Sequence, residues 1–313
     1  MRAFFSLLLP ALLALQAHAE PGTTGAVFLK RPLGARSAAM GGAFCALAGT
    51  LDSIHYNPAG LAALPKKAVT STYLNSIGGT SYGFLGYGQP TALGTFALGA
   101  LYFNAGKIDL NLSDGTRGRV TAEEDYAFTL SYARELFSGL EAGATYRHIR
   151  MSLAETAHAV SHQSDVGLRW KAPVKGLSFA AAYQYYGPDI RFEEVGDPPP
   201  KTLRYGAAWT FADIPIFEID PDADMRRFDV TLAADAAETL RERRSPRVGM
   251  EVGLEPAFLD RAAFRLGWVF EKDVETLSLG IGIREGSFLL DYAFGNAKGF
   301  NGLQQLSLTF LFK

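Results

Sequence analysis

From Lys67 to the C-terminus the chain alternates apolar and polar positions with a period of two. Val248, Met250, Val252 and Leu254 interleave with Arg247, Gly249, Glu251 and Gly253. Phe264, Leu266, Trp268 and Phe270 interleave with Ala263, Arg265, Gly267 and Val269, and Leu277, Leu279, Ile281 and Ile283 with Ser278, Gly280, Gly282 and Arg284. The same pattern runs through Tyr126–Tyr132, Leu140–Tyr146, Val166–Trp170, Leu177–Tyr185, Leu203–Phe211 and Phe228–Ala234. One face is apolar or aromatic and the other carries Gly, Ser, Thr, Asp, Glu and Arg, as in half-buried strands. The runs are roughly nine to thirteen residues long, the length of tilted membrane strands rather than of globular ones. They predict about fourteen strands, near 67–75, 80–88, 91–104, 122–135, 139–151, 161–172, 176–187, 201–212, 226–236, 246–255, 261–271, 275–285, 286–294 and 302–312. Connections alternate: 105–121, 188–200 and 237–245 are long, whereas 136–138, 173–175 and 285–286 are short. The segment 213–225 is long where a short turn belongs, and reads either as a feature of the inner side or as a missed strand.

An even number of strands with alternating connections predicts an all-β fold, a transmembrane antiparallel β-barrel. Closure follows from the solvent, because lipid offers no hydrogen bonds to a free sheet edge. The apolar parity then faces hydrocarbon and the polar parity the lumen. Trp170, Trp209 and Trp268 fall on the apolar parity, as do Tyr146, Tyr183, Tyr185 and Tyr205, which would suit an interfacial girdle. A soluble propeller would show a repeat of about 40 residues, and the sequence has none. Phe312, on the lipid-facing parity near the C-terminus, is the aromatic mark that barrel-assembly machinery reads, although Lys313 trails it.

Before the strands, Gly34–Leu64 is small, apolar and helix-prone. Gly41-Gly42 breaks a short helical run, Asp52 and Ser53 can cap the next, and Asn57-Pro58 reads as an N-cap with proline at the first helical position. Two or three short helices of this size have too little core to stand alone and need a cavity to sit in. Residues 20–66 are therefore expected to form a small N-terminal plug, or hatch, in the lumen of a barrel spanning 67–313. Residues 1–19 precede it, with Arg2, an apolar stretch from Ala3 to Ala17, and the Ala17-His18-Ala19 cleavage pattern of a secretory signal peptide.

Composition narrows the function. The chain has 30 basic and 32 acidic side chains, and loss of Arg2 with the leader leaves a net charge of about −3, so no basic surface points to nucleic acid. The lone Cys45 has no disulfide partner within the chain and reads as a buried small apolar group. Gly79-Thr80-Ser81-Tyr82-Gly83 matches the hydrolase string but opens a strand with no helix after it, whereas a nucleophile elbow needs strand, turn and helix. His148, His158 and His162 surround one predicted outer loop and read as solvated loop or lumen residues rather than metal ligands. Asp220, Asp222 and Asp224 alternate as in calcium loops but lack the glycine and distal glutamate, and read as a solvated acidic loop. No enzyme, cofactor or metal site is expected.

The N-terminal block also carries a family likeness. Gly34-Ala35-Arg36, Met40-Gly41-Gly42-Ala43-Phe44, Asp52 and Tyr56-Asn57-Pro58-Ala59-Gly60-Leu61 resemble the N-terminal signature of the FadL/PorV superfamily of bacterial outer-membrane barrels. The Asn-Pro-Ala triplet is similar to that of long-chain fatty acid transporters, and the Gly-x-Arg…Met-Gly-Gly-Ala spacing to the PorV/PorQ proteins of type IX secretion. The transporter branch implies passage of hydrophobic small molecules, fatty acid or hydrocarbon, through a plugged lumen. The PorV branch implies a secretion partner that binds exported protein cargo at its outer loops. Arg36, Met40, Phe44, Asp52, Asn57, Pro58 and Ala59 would then form the plug and ligand path. The lumen-parity charges Arg147, Arg169, Arg204, Arg247, Arg265, Arg284, Asp125, Glu141, Asp165, Asp229, Glu251 and Asp291 would pair with one another and grip the plug or a ligand head group. Outer-membrane lipid is the expected surround.

Overall fold

The computed structural model describes residues 24–75, 80–111, 115, 117–215, 225–270, 275–297 and 302–312. The predicted signal peptide, Gly79, the Asp220–Asp224 carboxylates and Lys313 lie outside them. Fourteen antiparallel strands close into a barrel: β1 (Ala68–Asn75), β2 (Ser81–Thr91), β3 (Gly94–Asn104), β4 (Glu123–Phe137), β5 (Leu140–Leu153), β6 (Ala157–Lys171) and β7 (Leu177–Tyr186). The ring continues with β8 (Thr202–Pro215), β9 (Met225–Thr239), β10 (Ser245–Pro256), β11 (Arg261–Val269), β12 (Glu275–Glu285), β13 (Phe288–Ala297) and β14 (Leu303–Leu311). Each strand pairs with its sequence neighbours, and β1 shuts the ring on β14 from Ala68↔Leu311 to Asn75↔Gln304.

The expected strands are all present, most within a few residues of their expected ends. In the puzzling 213–225 segment, β8 runs on to Pro215 and β9 starts at Met225, so longer strands take up its two ends and the described residues hold no extra one. Two long connections carry structure that alternation did not reveal. Lys107–Asn111 pairs with Arg117–Thr121, and Ile190–Arg191 with Gly196–Asp197. Both are short ladders outside the ring: the first is largely exposed, and the second buries only Ile190, against the leading segment, too little for alternation to mark.

The burial pattern inverts that of a soluble sheet. Leu85, Leu98, Leu130, Leu168, Trp170, Trp209, Leu266, Trp268, Ile281 and Leu308 are exposed, whereas inward positions such as Thr72, Thr129, Ser131, Thr145, Gln163, Thr231 and Ser307 are buried. Apolar side chains outside and polar ones inside are what a barrel in hydrocarbon requires. Tyr185 departs from expectation. The β6–β7 register shifts between Ser164 and Val166, and Tyr185 takes a left-handed backbone (φ 59°), which turns its ring into the lumen, buried. A bulge of this kind re-aims a side chain that simple alternation puts on the other face. The three histidines also differ from expectation: His148 lies on β5 and His158 and His162 on β6, on the outward parity, neither in a loop nor in the lumen.

Candidate functional site

Residues 24–66 pack against inward-facing side chains from around the whole ring. Their short elements are 3-10 turns at Val27–Lys30 and Pro58–Ala63 and single-turn helices at Ala35–Ala39 and Ser53–Tyr56. Gly41 and Gly42, with φ of 65° and 72°, end the Ala35–Ala39 turn as the sequence suggests. Asn57 caps as expected, its Oδ1 accepting from the Ala59 N–H at 3.0 Å. Asp52 does not cap, although it precedes Ser53. Its carboxyl instead lies against Gly34, where an added Cβ would come within 2.2 Å of it, and takes a bond from the Ser37 backbone.

The segment is held at four places. On one side Arg36 donates to Glu251 at 2.8 and 2.9 Å. Arg265 bridges Glu251 (2.6 Å) to Asp291 (2.7 Å), and Arg261 joins Asp229 to Glu251. Next to this network the Ala35 N–H donates to Ser307 Oγ at 2.8 Å, and Gln305 donates to the Pro32 carbonyl. At a second place Asp235 accepts from the Phe44 and Cys45 N–H groups, both at 2.7 Å. Arg204 donates to the Gly42 carbonyl and to Gln184, whose amide donates to the His55 carbonyl at 2.6 Å.

At the third, Asn57 donates to the carbonyls of Cys45 (3.0 Å) and Leu168 (3.1 Å). The wall has glycine here because nothing larger fits: a Cβ on Gly167 would lie 1.9 Å from Asn57 Oδ1, and one on Gly143 2.4 Å from the Pro58 carbonyl carbon. Beside it, Arg169 ties the Ala46 carbonyl (2.7 Å) to Glu141 (2.6 Å). The fourth is built on the bulge. Arg147 pairs with Asp165 at 3.0 Å, Asp165 accepts the Tyr185 N–H, and the Tyr185 hydroxyl donates to the Leu29 carbonyl at 3.0 Å.

Met40, Phe44 and Tyr56 form a closed apolar cluster with Ala208 and Ala233 of the wall, with Arg36 5.6 Å over the Phe44 ring. Pro58 and Ala59 abut β5, and Arg247 lies against Gly42. A cavity of about 40 Å³ remains between Lys30, Pro32, Ala38 and Gly41 and the wall residues Ser278 and Gln305. That is room for a few water molecules at most. The expected residues thus meet, except Arg284, which is exposed at the far end of β12, and Asp125, which is buried in the wall but joins none of the four anchors.

Burial shapes the titration of the segment. It pushes Asp52 up to about 6, helped by the nearby Asp291 and opposed by Arg36. It pushes His55 down to about 3, with Arg147 and Arg204 adding to the effect. It also raises the Cys45 thiol, reinforced by Asp235. Sequence reasoning left out Asp235, Gln184, Arg261 and the two wall glycines. Parity would have found all of them, since each sits on the inward parity of its strand.

Solved structures with this architecture include toluene transporters and a monoaromatic hydrocarbon channel. The toluene transporter TbuX of Ralstonia pickettii matches with a TM-score of 0.56 at 14% identity, over 90% of this chain and 98% of that one. The P. putida toluene transporter TodX matches with a TM-score of 0.57 at 12% identity, over 90% and 98%. The CymD monoaromatic hydrocarbon channel matches with a TM-score of 0.56 at 12% identity, over 90% and 97%. The chain has their fold. No protein-family model matches it, and no curated sequence is significantly similar.

Proposed function

We propose that this chain passes small hydrophobic molecules, of the monoaromatic hydrocarbon or fatty-acyl class, across the outer membrane, with residues 20–66 as a movable plug. The observation that carries the reading is the filling of the ring. The leading segment reaches strands on every side, buries an apolar cluster around Met40 and Phe44, and leaves a cavity of only about 40 Å³ beside it. A closed lumen of this kind is not a standing aqueous pore. Passage requires the segment to shift, and a shift uncovers the apolar surface of Met40, Phe44 and Leu61, which suits a hydrocarbon. The transport functions named for TbuX, TodX and CymD are of the same class.

The test is uptake in a Gram-negative host lacking its own hydrocarbon channel. Expression of the full chain speeds entry of a monoaromatic hydrocarbon or a long-chain fatty acid without raising permeability to a hydrophilic sugar. Faster sugar entry with unchanged hydrocarbon entry overturns the reading. A second reading, a secretion partner of the PorV kind, draws support from the small ladder at 107–121 outside the ring, with Ile108 exposed on it. It requires an exported protein to co-purify and to be lost when that ladder is removed.

A further inference from the structure

The outward face of β5 and β6 changes character part-way along. From the short-turn end, the cross-strand pairs are Leu140↔Trp170, Ala142↔Leu168 and Ala144↔Val166, all apolar. Tyr146↔Ser164 follows, and then His148↔His162, Arg150↔Val160 and Ser152↔His158. The basic groups form one connected cluster. Tyr146 and His162 share a hydrogen bond of 2.5 Å between hydroxyl and Nδ1. The His148 and His162 Nδ1 atoms are 3.5 Å apart with ring centroids at 4.9 Å, and Arg150 Nε donates to His148 Nε2 at 3.3 Å. Tyr126 lies opposite Arg150 on β4, and Tyr102 opposite Tyr126 on β3.

Charged groups on the lipid-facing parity are costly at mid-bilayer and tolerated near the interface. The cluster begins one residue pair beyond the last apolar one, behind a tyrosine, so it stands at headgroup level on the long-connection side. No carboxylate of a described residue lies in ion-pair reach of Arg150. Glu124, two residues from Tyr126 on β4, accepts from Tyr102. Elsewhere on the rim Lys201 sits 5.8 Å over the Tyr186 ring, whereas Arg244, 5.2 Å over Tyr205, is paired with Glu238. Two imidazoles and a guanidinium converging above an apolar strip match an anion joined to acyl chains.

We propose that Tyr146, His148, Arg150 and His162 bind a phosphate of a phosphorylated, acylated sugar lipid of the outer leaflet, whose chains lie over Ala142, Ala144, Val166 and Leu168. The site rests on the reading that the long connections face outward from the cell. Hydrocarbon flux is a separate property, so the two proposals fail separately. The experiment is native mass spectrometry of the full chain in detergent, titrated with a bisphosphorylated acyl-disaccharide lipid, its dephosphorylated form, and phosphatidylglycerol. The phosphorylated glycolipid is retained at least tenfold more than the dephosphorylated form and more than phosphatidylglycerol. Arg150→Gln combined with His148→Gln and His162→Gln brings its retention down to the dephosphorylated level, whereas Arg150→Lys keeps most of it. Equal retention of the two glycolipids, a preference for phosphatidylglycerol, or an unchanged triple variant overturns the site. Should a variant fail to give folded barrel, the comparison of lipids on the unaltered chain decides.

Discussion

Gly167→Ala tests how the leading segment is held. The new methyl would sit 1.9 Å from Asn57 Oδ1, a distance that no side-chain adjustment within a closed lumen absorbs. Asn57 is fully buried and holds the Ala59 N–H and the Cys45 and Leu168 carbonyls. Moving it forfeits these bonds, at about 1 kcal/mol net each, and overpacking alone costs about 1–3 kcal/mol. The two costs are alternatives, because moving Asn57 relieves the clash, so docking of the segment should weaken by about 3 kcal/mol. The barrel itself should survive, because Gly167 keeps its backbone ladder bonds. Cys45 supplies the readout. Its thiol is buried, and burial raises its pKa, so in the docked state it lacks both access and thiolate character. When opening is fast compared with reaction, labelling by a small water-soluble thiol reagent tracks the undocked fraction. A loss of about 3 kcal/mol then speeds labelling by about two orders of magnitude. The heat-dependent gel shift of the folded barrel serves as the control. A folded barrel whose Cys45 labels at the unaltered rate would refute the contact geometry at Asn57.

Removing either end of the Arg36–Glu251 pair should have unequal effects. Glu251→Gln leaves Arg36, Arg265 and Arg261 without their shared carboxylate and should weaken docking by about 3–5 kcal/mol. Arg36→Met leaves Glu251 paired with two wall arginines and should cost less, so Cys45 labelling should rise more in the first variant. Acid should act through His55, whose docked pKa of about 3 lies below its free value near 6.5. The undocked chain takes up the proton first, so docking is favoured above pH 6.5 and weakens as pH falls. Asp52, raised to about 6 when docked, has the opposite sign and favours docking as pH falls from 6 toward 4. In Asp52→Asn the opposing Asp52 effect is gone, and the His55 contribution should lower protection of Cys45 relative to the denatured chain by about fifteenfold between pH 6.5 and 5; adding His55→Asn should remove that contribution. Tyr185→Phe removes only the hydroxyl bonded to the Leu29 carbonyl and should weaken docking by about 1 kcal/mol, read as a severalfold faster labelling.

The ring could be read from the sequence because hydrocarbon imposes one rule at every strand. Trp170, Trp209 and Trp268 face outward as their parity requires, and the strands fall where alternation puts them. Lipid solvation therefore leaves a period-two record that needs no long-range information. Tyr185 shows where that record fails. A single bulge flips it inward, and the cause lies in Asp165 across the strand pair, which no local pattern announces. The histidines failed for a different reason. Polar residues on the outward parity read as loop until the strands are known to run past the apolar band. Within the leading segment, Asn57 and the Gly41-Gly42 break were local signals and could be read. Its wall partners Asp235, Gln184 and Glu251 are separated from it by much of the chain, so only the folded ring pairs them with it.

The bond from the Ala35 N–H to Ser307 joins positions 272 residues apart, and the one from Gln305 to Pro32 spans 273. The first part of the folded protein to leave the ribosome is thus among the last to find its contacts. Until β14 arrives, the Ala35 N–H and the Pro32 carbonyl have no partner in the wall. A chain stalled before its final strand should display an unsatisfied leading end. That makes seating of this segment a natural signal that ring closure is complete.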